Sequence, residues 1–242
     1  MIFFTADTHF GSERALKLSR RPFSSVLEMD RYMVDRWNEV VRKDDTVYHL
    51  GDFGELNVRT RLNGKINLLL GNYERDYLEK SKDGVSENDS RLAEFRFNRR
   101  MDALKNTFDE IMPFDSTAYS VTDLLKENRR SVQEVIDFLR LSKDDSKLSR
   151  VENLIIHLMH EPSHAIKSEE FIFNLYGHIH GRQMIRPYGM DVGVDAHHFR
   201  PISLNDVFFY WTAIQYHYDD EVFDGLSPKQ IREAAQVPYH GQ

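Results

Sequence analysis

Apolar residues near the start of the chain form short strand-like runs separated by a helical pattern. The runs at 2–6, 46–50 and 66–70 consist of β-prone side chains, which is typical of buried strands. After Ser25, which forms a capping-box pattern with Glu28, apolar residues recur at helical spacing and predict a helix over about 26–42. Strands that alternate with helices indicate an α/β fold with a partly parallel sheet.

A long polar stretch interrupts this pattern before strands return. Residues from about 76 to 148 are rich in charged and small polar side chains, which predicts a largely helical insertion within a single domain over 1–242. Further predicted elements are strands at 117–121, 151–159 and 190–194 and a helical face at 132–139. The final segment, at about 212–242, is acidic and carries a helix-start signal at Ser227-Pro228.

Composition restricts the chemistry that the chain can carry. The 242 residues include 32 Lys and Arg against 39 Asp and Glu, and the net charge of −7 disfavours a broad basic surface for nucleic acid. There is no cysteine, so thiolate zinc sites, iron–sulfur clusters and cysteine nucleophiles are excluded. No run approaches about 18 apolar residues and no signal-like start is present, so we expect a cytoplasmic protein without a membrane partner.

Metal-binding residue types follow the predicted strands. In chain order the blocks are Asp7-Thr8-His9, Gly51-Asp52, Gly71-Asn72, Met159-His160 and Gly177-His178-Ile179-His180. Carboxylate and amide oxygens mixed with imidazole nitrogens favour Mn, Fe, Zn or Co over Ca. Seven such side chains exceed what one tetrahedral ion needs and suit two divalent ions that share a carboxylate. Two ions about 3.5–4 Å apart are the arrangement that clamps a phosphoryl group.

The five blocks, in this order, resemble those of the calcineurin-like metallophosphoesterase superfamily, whose pattern is D-x-H, GD, GNH, H and GHxH. The segment Arg21-Pro22-Phe23 and the stretch from Val192 to Leu204 are similar to the small bacterial and phage branch of that family. The resemblance covers roughly residues 1–75 and 150–208. It implies a four-layer α-β-β-α sandwich, in which two mixed β-sheets pack face to face and are flanked by helices.

The resemblance also implies a role for each of the seven residues. One ion would be bound by Asp7, His9 and His180, the other by Asn72, His160 and His178, and Asp52 would bridge the two. The implied reaction is hydrolysis of a phosphomonoester or phosphodiester, possible substrates including nucleotides, by a metal-bridging hydroxide. The residues expected at the reacting group are Asp52, Asn72, Tyr73 and His178.

Two positions depart from the family pattern. Tyr73 replaces the GNH histidine, which is thought to protonate the leaving oxygen, and Ser12 replaces a second histidine of the first block. A phenol has an ordinary pKa near 10 and is a poor proton shuttle at neutral pH. Two alternatives therefore stay open: a nuclease of the same superfamily, which the acidic balance disfavours, and a scaffold that keeps the fold.

Other polar residues have simpler expected roles. The run from Arg96 to Arg100 is expected to form a solvated helix face, with contact to nucleic acid as the alternative. The remaining candidates are His49 and His157, expected to pack in the interior; His164, His197 and His198, near the site blocks; Arg75 and Arg200, which could meet a phosphate; and Glu74 and Glu161, expected at the surface or beside the ligands.

Overall fold

The computed structural model describes residues 1–83, 90–112, 116–139, 145–167 and 171–216. Its strands are β1 (Ile2–Thr5), β2 (Thr46–His49), β3 (Lys65–Leu68), β4 (Glu110–Ile111), β5 (Ser116–Ser120), β6 (Ile155–Met159), β7 (Ile172–Tyr176), β8 (Ile185–Arg186), β9 (Gly189–Asp191) and β10 (Ile202–Ser203). Its α-helices are α1 (Glu13–Leu18), α2 (Val26–Val40), α3 (Asn72–Glu79), α4 (Ser90–Thr107), α5 (Val121–Glu127), α6 (Val132–Phe138), α7 (Asp145–Asn153) and α8 (Leu204–Tyr216). None of the helices in these ranges has the length and hydropathy needed to cross a membrane.

The strands form two mixed sheets of five strands each, which confirms the predicted α/β class. The first sheet has the order β10-β1-β2-β3-β4, with β1 to β4 parallel and β10 antiparallel at one edge. The second has the order β5-β6-β7-β9-β8, with β6, β7 and β9 parallel and the two edge strands antiparallel. The parallel strands of each sheet therefore end at a common edge, where open α/β sheets place their ligands.

Successive side chains of β1 point to opposite faces of the first sheet, and both faces are covered. Phe3 belongs to a hydrophobic cluster with Trp37 of α2. Phe4 belongs to a second cluster, which includes Leu158 of β6 and Leu175 of β7. Thus α2 covers one face of the first sheet, and the other face shares its core with the second sheet.

Most predicted elements are present, but several of their boundaries differ from the prediction. The helix predicted over 26–42 is α2, which ends two residues earlier. Val151 belongs to α7 rather than to a strand, and its side chain is buried in the core. The prediction was wrong here because a short apolar run fits a buried helix as well as a buried strand. Val121 begins α5 rather than ending a strand, because the Ser120 hydroxyl caps the helix by accepting a hydrogen bond from the Asp123 amide.

The polar segment at 76–148 contributes to both sheets. Within its described residues, β4 forms an edge of the first sheet and β5 an edge of the second. It also adds buried side chains such as Leu104 and Leu124 to the two hydrophobic clusters. Of the predicted acidic tail, residues 212–216 complete α8, and the Ser227-Pro228 signal lies outside the described residues.

Candidate metal centre

The loops that follow the parallel strands of both sheets meet at one place. The Asp7 amide donates to the Gly51 carbonyl at 3.0 Å, which joins the loops after β1 and β2. The Gly177 amide donates to the His160 carbonyl at 3.1 Å and joins the loops after β6 and β7. Across the sheets, the His178 amide donates to Asp7 Oδ2 at 2.8 Å. The seven predicted ligand residues are brought together by this convergence.

Asp7, His9 and His180 form one group, whose ligand atoms lie within 4.8 Å of one another. The His9 and His180 rings are stacked with their centroids 5.1 Å apart. Asp7 Oδ1 and both ring nitrogens of His9 are buried without a hydrogen-bond partner in the described part of the chain. Buried polar atoms are rarely left unpaired because desolvation is costly, so this Asp/His cluster is suited to hold a cation.

Asn72, His160 and His178 form a second group. Asn72 Oδ1 lies 2.9 Å from His160 Nε2 and 3.1 Å from His178 Nδ1. His160 Nδ1 is 2.7 Å from the Leu50 carbonyl, so Nδ1 carries the proton and Nε2 presents its lone pair to the group. Burial and the neighbouring His178 lower the pKa of His160 to about 3, which keeps this lone pair available at neutral pH.

Asp52 lies between the two groups. Its Oδ2 is 3.5 Å from His9 Nε2 and its Oδ1 is 3.5 Å from His160 Nε2, so each oxygen faces one group. Burial and the nearby Glu74 carboxylate raise the pKa of Asp52 to about 8. Burial and the Asp52 carboxylate also raise the pKa of Asp7 well above its ordinary value. Carboxylates in this environment gain stability from a bound cation.

The backbone is strained at several of these residues. Positive φ angles occur at Asp7 (58°), His9 (48°), Asp52 (60°), His178 (71°) and His180 (51°). Residues other than glycine avoid this region, and such strain persists mainly at functional sites. A residue larger than glycine would clash at position 177, because its Cβ would lie 2.7 Å from Asp7 Oδ2.

An ion pair that sequence reasoning did not assign a role supports His180. The buried Arg21 guanidinium donates to both oxygens of Asp195 at 2.9 Å and to the Asp7 carbonyl at 2.6 Å. Asp195 Oδ2 lies 2.7 Å from His180 Nδ1, which orients the ring of His180 beside Asp7 and His9. Burial opposes ionisation of Asp195, but the hydrogen bonds from His180 and Arg21 lower its pKa overall. Both residues lie in the stretches that carried the family resemblance.

Glu74 also supports the site, and of its two expected positions, at the surface or beside the ligands, it occupies the second. Its buried carboxylate accepts hydrogen bonds from the amides of Asp52 and Phe53 at 2.8 Å and of Gly71 at 2.9 Å. Burial raises its pKa. The carboxylate thereby ties the Asp52 loop to the loop that carries Asn72. Glu74 is the third residue of α3, a position from which a glutamate side chain can accept a hydrogen bond from the backbone before the helix. This position is the signal that the sequence offers for the role of Glu74.

Tyr73 borders an open cleft of about 1110 Å³ beside the two groups. Its ring centroid lies 4.4 Å from that of His9, and its amide donates to Asp52 Oδ1 at 2.9 Å. Ser12, which also lines the cleft, caps α1 by accepting a hydrogen bond from the Ala15 amide. His178 lines the same cleft and is exposed to it.

The other candidates lie away from the cleft lining. His49 and His157 pack in the interior as expected, the first against Thr8 and the second against Asn174. His197 is buried and its Nε2 donates to the Asp191 carbonyl at 2.7 Å. Five further candidates are absent from the described lining of the cleft: His164, His198, Arg200, Arg75 and Glu161. Arg75 and Glu161 form an ion pair at 3.8 Å.

Comparison with known proteins finds relatives whose names state no activity. No family model matches the chain. It is 37% identical to an uncharacterized protein of Methanocaldococcus jannaschii over 82 residues, which cover 31% of this chain and 47% of that protein. It is 32% identical to the Gene 66 protein of Mycobacterium phage L5 over 81 residues, which cover 30% of this chain and 39% of that protein. The chain thus spans less than half the length of the curated relatives it matches.

A solved structure supports the fold over most of the chain. The crystal structure of a protein of unknown function from Aquifex aeolicus matches with a TM-score of 0.50 and 20% identity. The match covers 86% of this chain and 97% of that one. At this identity the likeness concerns the fold alone.

Proposed function

We propose that this chain is a metal-dependent phosphoesterase that uses two divalent ions to hydrolyse a phosphomonoester or phosphodiester, such as that of a nucleotide. The proposal depends above all on the position of Asp52, whose two oxygens face two separate groups of ligand-type side chains. A carboxylate that bridges two ions requires this arrangement. The resemblance to the metallophosphoesterase superfamily, and with it the four-layer sandwich, forms part of the same proposal.

The donor set fits such ions. Asp7, His9 and His180 would hold one ion and Asn72, His160 and His178 the other, with Asp52 shared between them. Mixed oxygen and imidazole ligands suit Mn, Fe, Zn or Co. When bound, the ions supply Lewis acidity, which lowers the pKa of water and neutralises charge on the phosphoryl oxygens.

The protein's own groups position the substrate and assist the departing oxygen. The cleft brings a phosphate against His178 and Tyr73, which line it. The Tyr73 hydroxyl can donate a hydrogen bond to the leaving oxygen, but a phenol supplies little general-acid catalysis at neutral pH. Leaving groups that need no proton, such as aryl oxides, are therefore the favoured substrates.

The test compares the unmodified protein with Asp52→Asn after reconstitution with Mn. We expect two ions per chain, measured by elemental analysis, and hydrolysis of bis(p-nitrophenyl) phosphate. Asp52→Asn should lose metal and lower kcat/KM by more than about 100-fold, because the bridge serves both ions and the ions contribute several kcal/mol. Asp44→Asn, an exposed change of the same kind, is the control.

Two results would contradict the proposal. The first is a reconstituted protein that binds no metal, or a single ion. The second is a protein that binds two ions without hydrolysing phosphate esters, as a scaffold with this fold would.

A further inference from the structure

A second, smaller pocket adjoins the cleft on its α3 side. Its volume is about 490 Å³, and it is lined by Tyr77, Arg96, Arg99, Arg100 and Ala103. Tyr77 lines the larger cleft as well, so the two cavities share this residue. Tyr77 is five residues after Asn72 on α3, which corresponds to about 7.5 Å along the helix axis. The pocket is therefore within reach of a substrate held at the metal centre.

Positive charge is concentrated in this pocket. Arg99 and Arg100 follow Arg96 by three and four residues, so both lie on the side of α4 that carries Arg96. The described residues that line the pocket include no carboxylate. Like charges at this spacing repel one another, so the three guanidinium groups favour an anion between them.

Two of the three guanidinium groups are anchored to the protein backbone, whereas Arg99 is exposed, as expected of a solvated helix face. Arg96 donates to the Asp83 carbonyl at 2.9 Å, and Arg100 donates to the Tyr77 carbonyl. The Arg100 guanidinium also lies over the Tyr77 ring, with its central carbon 5.0 Å from the ring centroid. A guanidinium group has five N–H donors, so these contacts leave donors for a ligand.

We propose that this pocket, lined by Arg96, Arg99 and Arg100, binds a phosphate group of the substrate other than the one that is hydrolysed. Guanidinium forks match phosphate oxygens in geometry and charge. Tyr77 lies between the two phosphate positions and offers an aromatic surface to the part of the substrate that joins them. The inference rests on the proposed function, since it assigns the phosphate that is hydrolysed to the metal centre.

The second phosphate has two possible sources, which the experiment distinguishes. One is a small molecule with two phosphates, for which thymidine 3′,5′-bisphosphate is the probe. The other is a neighbouring nucleotide of a short single strand, for which tetrathymidylate is the probe. The full chain is compared with the double variant Arg96→Gln/Arg99→Gln and with Arg91→Gln, an exposed arginine of the same helix outside the pocket lining.

Binding is measured first by calorimetry in EDTA, where no turnover occurs. The double variant should weaken binding of at least one probe about 10-fold or more, and Arg91→Gln less than twofold. For tetrathymidylate, loss of phosphate contacts should also reduce the salt dependence of log Kd by about 0.7 per contact. The inference is overturned if neither probe binds the double variant more weakly than it binds the unmodified protein. It is also overturned if Arg91→Gln weakens binding as much as the double variant does.

Kinetics on the Mn-loaded protein then separate this inference from the proposed function. With the probe that binds, the double variant should raise KM about 10-fold or more and change kcat less than threefold, because the arginines hold a group distant from the reaction. A lowered kcat with unchanged KM overturns the inference. If Mn-loaded protein hydrolyses neither the probes nor bis(p-nitrophenyl) phosphate, the proposed function fails, whereas a binding loss in EDTA still supports the pocket.

Discussion

Burial controls the charge of the side chains that surround Asp52. It lowers the pKa of His9 to about 2 and that of His160 to about 3, so both imidazoles are neutral at physiological pH. It raises the pKa of Asp52 to about 8, because burial disfavours the charged carboxylate and the nearby Glu74 carboxylate adds to this effect. Neutral imidazoles beside protonatable carboxylates form a set that could release protons in exchange for a metal ion.

Tyr73 gives a prediction about leaving groups. General-acid assistance is worth about 10²–10⁴ in rate when the leaving oxygen needs a proton. Tyr73→His should therefore raise kcat/KM for alkyl phosphodiesters more than for aryl ones, while Tyr73→Phe should be mild. The measurement is the dependence of kcat/KM on leaving-group pKa. A shallow dependence that Tyr73→His leaves unchanged would show that another residue already supplies the proton.

His49 gives a prediction about pH and stability. Its Nε2 donates to Thr8 Oγ1 at 3.0 Å, since the Thr8 hydroxyl proton is given to the Phe53 carbonyl. Burial and the neighbouring His160 lower the pKa of His49 to about 3. Below its ordinary pKa of about 6.5 the unfolded chain binds a proton that the folded chain does not, so stability falls between about pH 6.5 and 3.

The loss from His49 alone should reach about 2 kcal/mol between pH 7 and 5. We expect His49→Gln to remove this part of the pH dependence, measured as the free energy of unfolding in urea with EDTA present. His164→Gln, at an exposed position, should leave it unchanged. An equal pH dependence in the unmodified protein and His49→Gln would contradict the assignment.

The loops after β1 and β7 depend on a contact from outside the sheets. Arg21, three residues after α1, joins the Asp7 carbonyl to Asp195, and Asp195 orients His180. Supporting contacts of this kind are typically worth 10–100-fold in metal affinity. The orientation of the His180 ring therefore depends on contacts from Asp195 and Arg21, which lie in other segments of the chain.

Arg21→Lys should weaken binding of an ion at Asp7, His9 and His180 by about 10–100-fold, because a lysine ammonium lacks the planar fork that bonds Asp195 and the Asp7 carbonyl together. Mn titration followed by calorimetry measures the two sites separately, and the other site should change less. Arg36→Lys on α2 is the matched control. Equal weakening of both sites, together with a lowered Tm without metal, would indicate a general structural role instead.

The two sheets both contribute to the candidate metal centre. Asp7, Asp52 and Asn72 follow strands of the first sheet, and His160, His178 and His180 follow strands of the second. Bound ions would therefore join the sheets. A ligand that binds only the folded state stabilises it by about 2.7 kcal/mol at 100 times its Kd.

Addition of Mn should raise Tm by roughly 5–10 °C for a chain of this size, and EDTA should reverse the change. Scanning calorimetry of the unmodified protein, Asp52→Asn and His164→Ala tests this. Asp52→Asn should lose most of the rise, whereas His164→Ala should keep it. A Tm that does not respond to Mn or EDTA would exclude ions that join the sheets.

The sequence by itself predicted the α/β class and the place of all seven ligand-type residues. Both depend on local pattern, because a buried strand that ends in polar residues is visible within a few positions, and parallel strands bring such ends to one edge. The same local pattern failed at Val151, where an apolar run fits a helix as well as a strand.

Only the tertiary structure decided what supports the ligands and what lies beside them. Arg21 meets Asp195 across 174 positions of sequence, and Glu74 is buried because loops from two strands close over it. Arg96 and Arg99 border a pocket because α3 packs against their helix. Such contacts depend on how distant segments pack together, and neither periodicity nor spacing along the chain records that packing.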